Sequence, residues 1–126
     1  MKIQILNKCN EDVIFECDAK SVKEAVERAV KNKINLMSAF LSGSDLTYVD
    51  LSGAKLSGSD LTGADLSSAF LSGSDLSGAD LSGAKLSGSD LTGAKLYGAK
   101  LYGADLVCAK LSGADLSSAF LYGSDR

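Results

Sequence analysis

LSGAKLSGSDLTGADL, residues 51–66, places a leucine at Leu51, Leu56, Leu61 and Leu66. The interval of five runs in both directions without a miss, from Leu36 to Leu121. Two residues before nearly every leucine stands Ala or Ser, as at Ala39, Ser44 and Ala54. The residue between them is mostly Asp or Lys. A period of five fits neither a helix, which spaces apolar residues by three and four, nor a strand, which alternates them. A strict short period marks a stacked solenoid, in which each repeat buries its face only against its neighbours. High Gly and Ser content would suit disorder, but a disordered tract has no reason to hold an apolar residue at one phase.

The length fits one domain. The chain has no Pro, Trp or His, so the commonest acid-base group and metal ligand is missing. A net charge of −3 speaks against direct nucleic-acid binding. No apolar run is long enough to span a bilayer, and the N-terminus lacks a signal-peptide core. Cys9, Cys17 and Cys108 form no disulfide framework, which points to a reducing compartment and a cytoplasmic protein.

Residues 1–33 lie outside the repeat. Lys2-Ile3-Gln4-Ile5-Leu6 alternates loosely and predicts a strand, and Val13 to Cys17 predicts its return after the turn cluster Asn10-Glu11-Asp12. Ser21-Val22-Lys23-Glu24 reads as a capping box that starts a helix. Val22, Ala25, Val26, Ala29 and Val30 give that helix one apolar face, and Lys31 and Lys33 suit its C-terminal end. Terminal elements cover the apolar cross-section of a solenoid, so this hairpin and helix read as an N-terminal cap on residues 34–126.

The units Ala64-Asp65-Leu66, Ala79-Asp80-Leu81-Ser82-Gly83 and Ala104-Asp105-Leu106 resemble the pentapeptide repeat family, whose consensus is A-(D/N)-L-x-x. The resemblance implies an all-β, right-handed quadrilateral β-helix with four pentapeptides per coil, here of four to five coils. It also implies that Leu and the preceding Ala or Ser point inward while the other positions point out. Residue chemistry agrees. Ala or Ser fits a narrow interior, Gly suits the turns, and absence of Pro keeps every N–H available.

The charges give an independent hint of coil length. Twenty residues either way from Lys55, Lys85, Lys95, Lys100 and Lys110 no other lysine is met, whereas at fifteen Lys85 meets Lys100 and Lys95 meets Lys110. Opposed side chains on stacked strands lie about 5 Å apart, so like charges there cost stability. A twenty-residue coil is therefore expected, with Asn35, Lys55, Asp75, Lys95 and Asp115 as an alternating ion ladder. Residues 36–65 and 66–95 are nearly duplicate. Thirty residues are one and a half coils, so the copy falls on the opposite side, which suits a structural middle.

Catalysis has no support. The Asp and Ser residues repeat as surface positions, and without His no nucleophile has an evident base. No catalytic, cofactor or metal residues are assigned, because hard cations prefer converging ligands to a flat row. Asp45, Asp65, Lys85, Asp105 and Asp125 would share a column. Some members of the family are DNA mimics that inhibit DNA gyrase or protect it from quinolones. That makes Asp45, Asp65, Asp105 and Asp125 a candidate acidic face, although lysine interrupts it and the rod is short.

Phe120, Tyr102, Tyr122 and Tyr97 form a second candidate surface. Phe120 occupies the outward slot before a leucine, and the tyrosines the slot after one, with Tyr102 directly under Tyr122. Exposed aromatics on a rigid face are interface material, and an uncapped last coil leaves backbone edges open. The expectation is a non-enzymatic protein-binding or structural scaffold of bacterial type, its protein partner unknown, forming a homodimer through the C-terminal coil. Its alternative is a gyrase modulator. Ice binding is disfavoured because Thr47, Thr62 and Thr92 fall in different columns.

Overall fold

Every leucine from Leu36 to Leu121 opens a tight turn. In the computed structural model, which describes all of Met1–Arg126, Ala54 N–H donates to Leu51 O at 3.0 Å across Ser52 and Gly53. Gly53 has φ +70°, the left-handed value that the third residue of a type II turn requires. The same turn repeats every five residues, and between turns one residue bridges to the coils above and below. These bridges are parallel and step by twenty, as in Phe40↔Asp60, Asp60↔Asp80 and Asp80↔Lys100. The chain is thus a right-handed quadrilateral β-helix with four pentapeptides per coil, as the resemblance implied, and its twenty-residue step is the one the charge spacing predicted.

The backbone of one unit is fully hydrogen-bonded. Leu76 N–H donates to Lys95 O at 2.7 Å and Gly78 N–H to Tyr97 O at 2.8 Å in the coil below. Asp80 N–H donates to Ser59 O at 2.9 Å in the coil above, and Ala79 N–H closes the turn on Leu76 O at 3.0 Å. The fifth N–H, on Ser77, has no backbone acceptor. It donates to Oδ1 of Asp75 at 3.0 Å. A buried or half-buried N–H without a partner is costly, so the carboxylate completes the unit.

Twenty-residue stepping defines four flat faces by their bridging residues. The first carries Phe40, Asp60, Asp80, Lys100 and Phe120, and the second Asp45, Asp65, Lys85, Asp105 and Asp125. The third carries Asp50, Phe70, Asp90 and Lys110, and the fourth Lys55, Asp75, Lys95 and Asp115. Inside, the leucines from Leu36 to Leu106 stack as a buried column at each side, joined by the small residues two positions before them. Val49 takes an Ala position and is fully buried. Tyr48 and Cys108 stand where most turns have Gly, at φ +60° and +62°. An L-residue there costs about 1–2 kcal/mol, and both side chains escape into solvent.

The N-terminal segment forms β1 (Lys2–Leu6), β2 (Val13–Asp18) and α1 (Val22–Lys31), with β1 and β2 antiparallel. Ser21 caps α1 by accepting from Glu24 N–H at 3.1 Å. The reciprocal half of the predicted capping box is displaced: the Glu24 carboxylate accepts from Lys20 N–H at 3.4 Å and pairs with Arg28 at 2.8 Å. Ile5, Ala19, Ala25, Val26 and Ala29 join the leucines in one apolar cluster.

This cap also takes over hydrogen bonds that a preceding coil would make. Phe40 N–H donates to Leu6 O at 2.7 Å. Asp50 N–H donates to the Glu27 carboxylate at 3.1 Å, and Lys23 Nζ donates to Thr47 O at 2.8 Å. Helix side chains thus stand in for strand backbone.

Four hydroxyls inside the coil have no partner, those of Ser59, Ser74, Ser89 and Ser124. Ser59, Ser74 and Ser89 are fully buried in positions mostly filled by Ala. Burying an unpaired hydroxyl costs about 1–3 kcal/mol, less the packing its oxygen provides. Ser59→Ala, Ser74→Ala and Ser89→Ala should each stabilise the fold by about 1 kcal/mol. Urea titration of the triple variant is the check, and an unchanged or lower midpoint would refute the account.

Candidate interaction faces

The outward slot before leucine behaves differently from its reading as a solvated surface. All ten Asn and Asp residues in that slot from Asn35 to Asp115 accept, through Oδ1, the N–H of the residue two positions on. This is the Asx turn, for which only a short side chain with an acceptor is suited. Asp45 and Asp90 add the hydroxyls of Thr47 and Thr92, at 2.8 and 2.6 Å. The aspartates are therefore architectural first and surface charge second. The rule was available from the sequence, since Asn and Asp share the acceptor and not the charge.

These bonds move the acid equilibria. Hydrogen bonds from Ser77 hold the Asp75 carboxyl below its ordinary value, with the positive charge of Lys95 adding to them. Bonds from Thr47, Thr92 and Ser117 do the same for Asp45, Asp90 and Asp115. At Asp80 partial burial pushes upward but is outweighed by Ser82, Lys100 and Lys8. A carboxyl with a depressed folded value stabilises the fold above its unfolded value, about 3.9, and loses that contribution as pH falls through the folded value. Melting temperature should accordingly hold from neutrality to about pH 4.5 and fall below about pH 4. Scanning calorimetry against pH tests this, and a melting temperature that rises on acidification would contradict it. Asp75→Asn keeps the acceptor and should be nearly neutral, whereas Asp75→Ala should cost about 1 kcal/mol. Equal losses in the two variants would assign the effect to charge.

The fourth face keeps the predicted register, through the bridges Lys55↔Asp75, Asp75↔Lys95 and Lys95↔Asp115. The ion ladder itself is not formed. The three salt bridges of the molecule all lie in the N-terminal segment, and no Lys–Asp pair of the solenoid comes within 4.0 Å. The cause is the Asx turn, which folds each carboxylate back along its own coil.

The acidic residues Asp45, Asp65, Asp105 and Asp125 do share one column, with Lys85 at its centre. Asp45, Asp65 and Asp105 each hold a turn N–H. No three Asp, Glu or Cys side chains converge in the manner of a metal site, and no helix is long and apolar enough to cross a membrane.

The aromatic residues gather in the last coils. Tyr97, Tyr102, Phe120 and Tyr122 are 57%, 41%, 46% and 76% exposed. Tyr102 and Tyr122 occupy one column, joined by Gly103 N–H to Tyr122 O at 3.1 Å. Yet the Tyr102 ring packs on Phe120, with centroids 5.6 Å apart and planes tilted by 35°, a favourable aromatic geometry. Tyr97 sits one corner away, beside Lys95 and Lys100. Below them Leu111, Leu116 and Leu121 are only half-buried, and the N–H groups of Leu111, Gly113 and Leu116 meet no backbone acceptor.

A family model described as pentapeptide repeats matches eight copies over residues 34–63, 59–96 and 94–125. Among solved structures, a pentapeptide repeat protein of the Arabidopsis thaliana thylakoid lumen is 30% identical with a TM-score of 0.70. The match covers 72% of this chain and 63% of that one, so the chain spans less than two thirds of that relative. A pentapeptide repeat protein from Nostoc Pcc 7120 is 39% identical with a TM-score of 0.62, over 71% of this chain and 72% of that one. No curated protein matches in a sequence comparison.

Proposed function

The chain belongs to the pentapeptide repeat family, and from that premise we propose that it is a non-enzymatic protein-binding scaffold whose contact surface is the aromatic end of the solenoid. One observation carries the reading: Tyr97, Tyr102, Phe120 and Tyr122 stand exposed together on coils tied to the coil above by backbone bonds such as Lys100 N–H to Ala79 O and Phe120 N–H to Ala99 O, both at 2.9 Å. Rigid aromatics lose little entropy when they are covered. The occupant proposed for this end is a second copy. Two copies meeting through their last coils would cover the rings together with the half-buried Leu111, Leu116 and Leu121. Light scattering at high protein concentration should give a dimer mass, and Phe120→Asp with Tyr122→Asp should return it to monomer. Monomer mass throughout would remove the self-association, and a dimer indifferent to both changes would place it elsewhere.

Two observations weigh against the DNA-mimic alternative. Residues 34–126 carry ten Asp, five Lys and one Arg, a net charge of −4. Spread over about 22 Å of stacked coils, that is one charge per roughly 5–6 Å, against about 1.7 Å along duplex DNA. The most acidic column is also split by Lys85.

A further inference from the structure

The fourth face has a property the other three lack. Read downward its charges are Lys55, Asp75, Lys95 and Asp115, one per coil. Read upward the sequence of signs is the complement of itself. An isologous contact about a two-fold axis sets each residue of a row against the same row reversed. With the axis between Asp75 and Lys95, Lys55 meets Asp115 of a second copy, and Asp75 meets Lys95 of that copy. All four charges are then paired, and no like charges meet. On the second face the same operation sets Asp against Asp, and Lys85 against itself. On the first it leaves Asp80 on Asp80, and on the third Phe70 on Asp90.

We propose that the fourth face is a self-recognition surface on which two copies pair side by side and antiparallel. The side chains are free to do so. Lys55 and Lys95 are exposed and make no ion pair within their own chain. Asp75 and Asp115 turn Oδ1 to Ser77 and Ser117 N–H, at 3.0 and 2.9 Å, which leaves Oδ2 as the oxygen for a lysine from outside. Ser and Gly occupy most of the flanking corners, as at Ser57, Ser72 and Ser117, so little holds a second copy away. The exception is Tyr97, beside the axis and exposed, whose ring would cover the edge of the contact.

The row spans three coil steps, about 14 Å, which is small against the roughly 800 Å² per partner of a standard interface. The association is therefore weak, reversible and governed by ionic strength. It is separate from the pairing of last coils and does not depend on it, because Phe120 lies on the first face.

The experiment is sedimentation analysis of the full chain at low and high salt, with Phe120→Asp and Tyr122→Asp present throughout to remove the terminal contact. The dissociation constant should rise about tenfold or more between low and 0.5 M salt, as charge pairs at a small interface are screened. Lys55→Glu with Lys95→Glu makes the face wholly acidic, and Asp75→Lys with Asp115→Lys makes it wholly basic. Each should be monomeric alone, and a one-to-one mixture should associate again. The slot already holds lysine at Lys85, Lys100 and Lys110, and circular dichroism confirms that each variant is folded. Absence of low-salt association in the protein carrying Phe120→Asp and Tyr122→Asp, or self-association surviving both charge reversals, overturns the proposal. So does a mixture that stays monomeric, since a ladder acting only within one chain predicts destabilised variants and no rescue.

Discussion

Leu76→Ala should destabilise the solenoid by about 2–5 kcal/mol, the range for removing a buried leucine when the hole cannot close. Leu76 is fully buried in the middle of the stack, with Leu56 one coil above and Leu96 one coil below. Its neighbours are held by backbone bonds to the coils on both sides, such as Leu76 N–H to Lys95 O and Asp75 N–H to Ala54 O. A wall built of inter-coil hydrogen bonds cannot move inward without breaking them, so the cavity persists and the full cost is felt. A domain of this size is stable by about 5–15 kcal/mol in all. Leu116→Ala removes the same atoms from a leucine that is only half-buried, and should cost about half as much. Urea denaturation of the two variants decides it. Equal losses would show that the last coil is as tightly covered as the middle one, which the burial of Leu111, Leu116 and Leu121 contradicts.

The architecture was legible because its determinants are periodic. An apolar residue every five positions reports the turn-by-turn path, and the avoidance of Lys on Lys at a step of twenty reports the coil. Both follow from which side chains stack, and stacking follows from chain position alone. The side-chain orientations were not legible in the same way. That Asp75 turns back to Ser77 N–H, and not across to Lys95, depends on which backbone N–H each turn leaves without an acceptor. Once the type II turn is drawn, the orphan is Ser77 and the Asx turn becomes the natural answer; charge alone points to the ladder. The pairing of Tyr102 with Phe120, in place of Tyr122, is a matter of ring rotation that column position does not fix. The candidate surfaces are correspondingly half-visible in sequence: their columns can be counted, but which charges remain free for a partner depends on bonds made locally.

The first coil poses the problem that every solenoid end has, and its solution is open to one substitution. Val26→Asp should cost about 3–5 kcal/mol, because a carboxylate in that site has neither water nor a cation. Val26 is fully buried with Ala25 and Ala29, in the same cluster as Leu36, Leu41 and Leu46. A helix carrying an unpaired charge on that face escapes the cost by lifting away. Lifting uncovers the leucines of the first coil and releases the Lys23 and Glu27 bonds to Thr47 and Asp50. Repeat stability is close to a sum over units and interfaces, so the later coils can stay folded while the first presents an apolar section. The variant should therefore melt earlier and also aggregate in light scattering before its far-ultraviolet dichroism is lost. Glu27→Gln keeps an acceptor for Asp50 N–H and should do neither. If Val26→Asp stayed monomeric with an unchanged melting temperature, α1 would be an ornament on a self-sufficient coil. Lys23 and Glu27 would then be surface contacts with no part in closing the end.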